Sequence, residues 1–504
     1  MKLHPLSVPY RMLSRGASVG VSFFFVGSAL SGSGVLPPPL AGLAVPLVVA
    51  VGVLLTALWQ VAYYRRFDYE LTDDGLEIAS GVVSRRQREI PLHRVQNVDI
   101  SRNVLQRLLG IAALDLETAG GGDTEASLRY VGYEEAKRLQ REIQRRKRQR
   151  EAGEETEAPT EPIEEREQVL FELAEGELAL LSVLSFDLRY FSLLAFGPAV
   201  LPFVPGLAEL AVFGGLLLYA IIGVGLWVVS ASLTFARYYG FRLTRVDDEL
   251  RYERGLFQRF DGSIPLAKVQ TVTMSENVLM RRFGYATLAV ETAGYGPGQS
   301  PSGGSEAAVP LASRERVFEL ANEVEPFETP TFQRPPTRAR TRYAIRYLLG
   351  LGAIVALLYA VWSLAGRPVV WYAPFVPLAF VVLVPLAAHL TWVNRGYDAG
   401  ETHVVTQNGF WRRTTKIVPY YRVQTVIQSR TIFQRRRRWR LADVVIDTAS
   451  SASFGGGVAK AADLDEADAA ELREFVGEKL QESLRARRET KRTEPSDETR
   501  NANS

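Results

Sequence analysis

Residues 91–120 read PLHRVQNVDISRNVLQRLLGIAALDLETAG, and the chain writes them again. Residues 265–294 read PLAKVQTVTMSENVLMRRFGYATLAVETAG, with 17 of 30 positions identical and no gap. A looser third copy, PYYRVQTVIQSRTIFQRRRRWRLADVVIDTAS, starts at Pro419 and is two residues longer by the time it reaches Asp447. Ten residues before each copy stands a glycine: Gly81, Gly255 or Gly409. Each copy also follows a long apolar block. The period far exceeds the roughly 20–50 residues of a solenoid, so the repeating unit is a whole domain.

The 504 residues leave room for about three domains at about 150 residues each. A net charge of +3 is close to neutral, but the charges are unevenly spread, with arginine-rich segments, acidic linkers and long stretches that carry none. That pattern suits a membrane protein better than a nucleic-acid binder, which carries a basic excess across its domain. With no cysteine there are no disulfides, thiolate metal sites or cysteine nucleophiles.

Six stretches lack Asp, Glu, Lys and Arg: residues 17–36, 40–64, 190–208, 210–236, 347–366 and 368–394. A bilayer is crossed by about 20 mostly apolar residues. The stretches form three close pairs separated by SGSGVLPPPLAG, PFVPGLAEL and LAGRPVV, which predicts six transmembrane helices in three hairpins. Basic residues crowd the ends away from the hairpin tips: Lys2, Arg11, Arg15, Arg65, Arg66, Arg189, Arg237, Arg242 and Arg395, while the tips carry only Glu209 and Arg367. Lys and Arg near membrane ends favour the cytoplasmic side, so both termini and all three repeated domains are expected there. No cleavable-signal pattern is present, since the first apolar block continues into a second.

Within the first unit, YRRFDYELTDDGLEIASGVVSRRQREI reads as three strands with an Asp-Asp-Gly turn, by alternation and turn chemistry. VQNVDIS is a fourth strand, NVLQRLLG a short helix capped by Asn103 or Ser101 and stopped by Gly110, and AALDLETA a further strand. ASLRYV follows, then a closing helix. Such a meander suggests a small β-barrel or sandwich plugged by its C-terminal helix.

The resulting plan has nine segments. Residues 1–64 form an N-terminal segment and the first hairpin, 65–150 the first domain, 151–174 an acidic linker, and 175–236 the second hairpin. Residues 237–325 form the second domain, 326–346 a Pro/Arg linker, 347–394 the third hairpin, 395–484 the third domain, and 485–504 a disordered tail.

Three apolar hairpins, each followed by a β-rich unit with a P-x-x-[RK]-V-Q strand and an E-T-A-G strand end, resemble the bacterial PH-like membrane-flanked domain family. The matching residues are Pro91, Arg94, Val95, Gln96 and Glu117 to Gly120 in the first copy, and Pro265, Lys268, Val269, Gln270 and Glu291 to Gly294 in the second. In the third they are Pro419, Arg422, Val423 and Gln424, with Asp447 to Ser450 departing from E-T-A-G. The resemblance covers most of the chain and implies a pleckstrin-homology-like barrel with a C-terminal helix. It implies no activity, and fold alone does not set function.

Candidate sites divide into two groups. In the repeat motif, Gln96, Gln270 and Gln424 read as binding residues or, more simply, as glutamines satisfying backbone groups at a bend. Glu117 and Glu291 have no recurring carboxylate or histidine beside them, as general acid–base chemistry needs, so each reads as a turn cap. His4, His93, His389 and His403 fall at unmatched places in the repeats and assemble no metal set. The glycine-rich loops at 120–122, 294–304 and 455–457 lack G-K-[ST] and read as plain loops.

The second group is basic: Arg412, Arg413 and Lys416 on one hairpin, with Arg435, Arg436, Arg437, Arg438 and Arg440 around Trp439. Beside an anionic leaflet each such charge is worth about 1 kcal/mol. The pattern fits both a lipid or partner contact and a solvated face. The same two readings apply to the helix at 138–150.

No catalytic constellation, cofactor site or metal site recurs. The expected function is a polytopic, non-enzymatic protein of the cell membrane whose three PH-like domains contact proteins or lipid headgroups. The expected partners are the bilayer and another membrane or cytoplasmic protein, including a homo-oligomer or a small membrane subunit of the same family, and no nucleic acid. The rival is a small-solute transporter or channel. It would place polar groups or broken helices at mid-membrane, for which only Pro198, Pro202, Pro374 and Pro377 are available.

Overall fold

The P-x-x-[RK]-V-Q stretch builds the same local structure three times. Pro91, Pro265 and Pro419, with φ of −62°, −64° and −67°, end one strand and open a single 3-10 turn, Leu92–Arg94, Leu266–Lys268 or Tyr420–Arg422. The proline ring fixes φ there and removes a ladder donor. One residue into the next strand the register slips. Val95 faces Thr118 but Asn97 faces Glu117; Val269 faces Thr292 but Thr271 faces Glu291; Val423 faces Thr448 but Thr425 faces Asp447. Gln96, Gln270 and Gln424 are therefore the extra residues of a β-bulge, which bends a strand and sharpens its twist. The two halves of the sequence motif are the two sides of one bulge.

The computed structural model describes the chain apart from residues 33–36, 119–125, 153–166, 185–213, 293–305, 365–372, 437–438, 450–457 and 494–504. Gly120, Gly294, Arg437, Arg438, the three glycine-rich loops, most of the acidic linker and the apolar stretch 190–208 lie outside the described residues. The chain divides into two compact units, residues 1–168 with 244–264, and residues 169–243 with 265–504.

The first unit opens with helices α1 (Ser7–Gly32) and α2 (Pro38–Arg65), packed on each other. An antiparallel meander follows: β1 (Asp68–Leu71), β2 (Gly75–Ser80) and β3 (Arg86–Pro91). Then come β4 (Val95–Asn103), α3 (Val104–Leu108), β5 (Ile111–Thr118), β6 (Ala126–Gly132) and α4 (Tyr133–Ala152). Asn103 caps α3 in a capping box: its side chain accepts from the Gln106 amide at 2.8 Å and the Gln106 side chain accepts from the Asn103 amide at 2.7 Å. The core gathers Leu76 and Ile90 from one sheet, Ile100, Leu114 and Leu128 from the other, and Leu139 and Ile143 from α4.

Beyond β7 (Glu167–Glu172), α5 (Glu175–Leu184) and α6 (Gly214–Tyr238) comes the opening meander of the second repeat: β8 (Arg242–Val246), β9 (Glu249–Arg254) and β10 (Gln258–Pro265). Its closing half is β11 (Val269–Asn277), α7 (Val278–Phe283), β12 (Tyr285–Thr292), β13 (Glu306–Ser313) and α8 (Arg314–Val324). Helix α9 (Ala339–Leu364), a 3-10 stretch (Ala373–Leu383) and α10 (Val384–Val393) lead to the third repeat. That repeat comprises β14 (Gly396–Ala399), β15 (His403–Asn408), β16 (Arg412–Pro419), β17 (Val423–Ser429), β18 (Leu441–Thr448), β19 (Ala459–Asp465) and α11 (Glu466–Thr493). Val404, Val418, Val444, Ile446, Leu472 and Val476 lie in its core.

Among the described residues the strands do not close into separate barrels. β3 ends a sheet of order β1-β2-β3, and β4 pairs with β10 of the following repeat, in a seven-stranded sheet that contains the run β6-β5-β4-β10-β9-β8. The second unit repeats the arrangement, with order β13-β12-β11-β16-β15-β14, while β17 begins a sheet of order β17-β18-β19. Edges that a barrel would satisfy by closing on itself are satisfied by the next repeat.

The expectation of six transmembrane helices in three hairpins is overturned. Among the described residues three helical stretches are long and apolar enough to cross a membrane, Leu43–Arg65, Ile221–Tyr238 and Ala339–Leu364. A fourth exists only if Ser7–Ser14 and Ser18–Gly32, bent by 45°, count as one span. The last charge-free stretch fails because proline interrupts it. Residues Ala373–Leu383, containing Pro377, wind as a 3-10 helix, and Val384–Val393 alone is α-helical there. Counting uncharged residues measures solubility in lipid but not continuity of backbone hydrogen bonding, which proline breaks.

Candidate interaction site

The strand junctions between repeats gather a set of buried polar residues, Asp99 and Asp261 at the first and Thr273, Ser275, Glu276 and Lys416 at the second. In the first, Asn103, Arg102, Ser101 and Ile100 of β4 face Gln258, Arg259, Phe260 and Asp261 of β10. In the second, Asn277, Glu276, Ser275 and Met274 of β11 face Arg412, Arg413, Thr414 and Thr415 of β16. Asn103 and Asn277 hold the same place in the repeat, as do Gln258 and Arg412, so the two junctions share one register.

A second device also recurs. Arg107 of α3 donates to the Leu256 carbonyl at the tip of the β9–β10 hairpin. Arg281 of α7, its counterpart, donates to the Phe410 carbonyl at the tip of the β15–β16 hairpin, at 3.2 Å. The tips are shaped by the repeated glycines. Gly81, Gly255 and Gly409 have φ of +117°, +108° and +113°, a region open to residues without a Cβ.

Side chains at the two junctions differ. At the first, Arg102 stands opposite Arg259, a pairing that repels in itself. Arg102 lies over the Tyr133 ring, 3.3 Å from its centroid, and Arg259 pairs with Glu253 and lies 3.6 Å from Asp261. Burial, and then the neighbouring Glu253, push the Asp261 carboxyl above its ordinary range. At the second, Arg413 reaches Glu276 with Nε at 2.7 Å and Nη2 at 2.5 Å, and Lys416 reaches Glu291 at 2.6 Å. Tyr421 donates to Glu325 at the end of α8, at 3.1 Å, and burial raises its phenol. One backbone register is thus kept under two sets of side chains.

The basic residues of the third repeat separate accordingly. Arg413 and Lys416 are held in buried ion pairs across the junction, and Arg412 is exposed at its end. Arg435, Arg436 and Arg440 are exposed, with Arg436 over Phe433 at 5.3 Å and Arg440 3.8 Å from Glu466. In the motif, Gln270 is buried and donates to the Lys268 carbonyl at 3.1 Å, Gln424 is exposed, and Asp447 is half-buried. Glu291 also accepts from Thr273 at 3.2 Å.

A buried network escaped the sequence reading. Asp463, with 2 % exposure, pairs with Arg395 at 2.6 Å and with Arg342 at the start of α9. Gln434 donates to Asp443 at 2.8 Å and to Asp463 at 2.9 Å. Nearby, burial pulls Asp465 upward, but the hydrogen bond and charge of Arg338 together with the backbone amides of Glu466 and Ala467 outweigh it and hold the carboxyl low. These contacts bolt the third repeat to the helices before it. No spacing links positions 342, 395, 434 and 463, so no local signal foretold them.

Against known proteins, a transmembrane protein from Bacillus subtilis (strain 168), described as "UPF0699 transmembrane protein YdbT", is 27 % identical over 417 residues, covering 77 % of this chain and 82 % of that one. No solved structure matches the chain. The family described as "Bacterial PH domain" matches three times, at residues 21–147, 196–327 and 344–480, each match taking in apolar helix and the sheets that follow. With most of its length so matched, and with apolar helices leading into each set of sheets, this chain is a membrane protein of the bacterial PH domain family.

Proposed function

We propose that the protein is a non-enzymatic membrane scaffold whose PH-like repeats face the cytoplasm and bind other proteins. The observation that carries this reading is the use of sheet edges as binding surfaces. Twice within one chain, a repeat recognises its neighbour by strand addition in one register, and strand addition is a general mode of protein recognition. The carboxylate Glu291, which repeats with the motif, is held by Lys416 in the junction, an arrangement that favours an architectural role over acid–base chemistry.

The test uses the full chain in native membranes, with a photoreactive phenylalanine analogue in place of Ile427 on the outer strand β17. Protein adducts are expected, and adducts with lipid alone would overturn the reading. Solute flux in reconstituted vesicles, above that of protein-free vesicles, would favour a transporter instead.

A further inference from the structure

We infer that the chain associates head to tail with a second copy of itself, β17 of one pairing with β3 of the next in the register of the two internal junctions. The inference deepens the proposed scaffold role and rests on it.

Three features single out these edges. By the repeat, β17 is the counterpart of β4 and β11, and β3 the counterpart of β10 and β16, yet among the described residues neither has an outer neighbour. Their exposure shows the same vacancy. Ile427 is 47 % exposed, while its counterparts Asp99 and Thr273 are 9 % and 7 % exposed. Gln87, Arg88 and Glu89 are exposed where Asp261, Gly262 and Ser263 are buried. A long unpaired edge is a template for another strand.

The third feature is the arginine clasp. Arg435 is the counterpart of Arg107 and Arg281, and it is exposed. Its target in a second copy is the Val82 carbonyl, the counterpart of those of Leu256 and Phe410. That carbonyl accepts from Arg66 at 2.8 Å, and an oxygen with two lone pairs accepts a second donor.

The register puts Ser429 opposite Arg86 and Arg430 opposite Arg85. Two arginines face each other there, as Arg102 and Arg259 do at the first junction. Arg430 already pairs with Glu466, much as Arg259 pairs with Glu253. A head-to-tail contact is heterologous and builds rings or open chains rather than a closed two-fold dimer.

The absence of cysteine makes the test clean. Two full-length variants, Ser429→Cys and Arg86→Cys, are co-expressed and oxidised in native membranes. Directly opposed antiparallel residues lie about 4.5–5.5 Å apart at Cα, within disulfide reach. A variant carrying both Ser275→Cys and Thr414→Cys, opposed at the second junction, is the folding and chemistry control and should cross-link within one chain.

A mixed dimer from the co-expressed pair, absent when Ser429→Cys is paired with Ser80→Cys, supports the inference. Adding Arg435→Glu should lower its yield about tenfold, the worth of one charge-assisted hydrogen bond. No mixed dimer while the control cross-links overturns it. Capture of a different protein by Ser429→Cys also overturns it, while leaving the scaffold reading intact.

Discussion

Glu276 is the residue on which the second junction most depends, and its removal has a calculable cost. Its carboxylate is 7 % exposed and Arg413 opposite is 17 % exposed, so the pair is shielded from water and salt. Breaking a buried pair by deleting one partner strands the other charge, at a cost of about 3 kcal/mol or more. Glu276→Leu should therefore lower the melting temperature by about 6 °C, at about 2 °C per kcal/mol for a large unit. Arg413→Met should cost less, about 2 kcal/mol, because Arg314 remains 3.4 Å from Glu276. The double variant removes both charges and should sit within about 1 kcal/mol of the parent, since a buried pair exchanged for apolar groups is often neutral.

Intrinsic tryptophan fluorescence of the protein in detergent follows the transition, and Trp411 lies on the hairpin tip beside Arg412. Raising salt should leave the differences nearly unchanged, as buried pairs are little screened. Effects that add within about 0.5 kcal/mol would mean that the two residues do not interact, and the junction would not be held as described.

Gly409→Ala should destabilise the third repeat, because φ is +113° and a new Cβ would meet the Arg412 carbonyl at 1.8 Å. Gly477→Ala, in α11 with open space around it, should instead stabilise by about 0.5–1 kcal/mol; melting curves that shift in the same direction for both would refute the contrast. Asp261→Asn should raise stability at neutral pH and not below about pH 4. With its carboxyl raised by burial and by Glu253, the folded state keeps a proton that the unfolded state has released. Wild-type stability therefore falls as pH rises through the raised value. A gap between variant and wild type that does not change with pH would contradict this.

How much of this was legible in the sequence depends on the range of the interaction. Local chemistry was: Asn103, one of two cap candidates, caps α3, and Gly110 follows it with φ of +65°. Each involves residues within a few positions or one hairpin, where spacing determines geometry. Span count was not: Pro377 could be read as a helix breaker, but a run without charges does not show that Ala373–Leu383 winds as a 3-10 helix. The partner of each edge was not legible either. Alternation announces a strand and the face it buries, but a strand's neighbour is chosen by backbone groups that every sequence shares.

That last point explains why the basic cluster reads differently in three dimensions. Arg413 and Lys416 look from the sequence like part of one basic surface with Arg435 and Arg436. The strand pairing turns the first two toward Glu276 and Glu291, more than a hundred positions earlier, and leaves the others exposed. Arginine on β16 is answered by an acid on β11, whereas Arg259 on β10 meets Arg102 on β4 and finds its acids within its own repeat. Since both junctions keep one register despite opposite charge logic, the side chains tune the contact and the backbone edges define it. A repeat built this way carries one donor edge and one acceptor edge, and among the described residues the first and last repeats each keep one of these open.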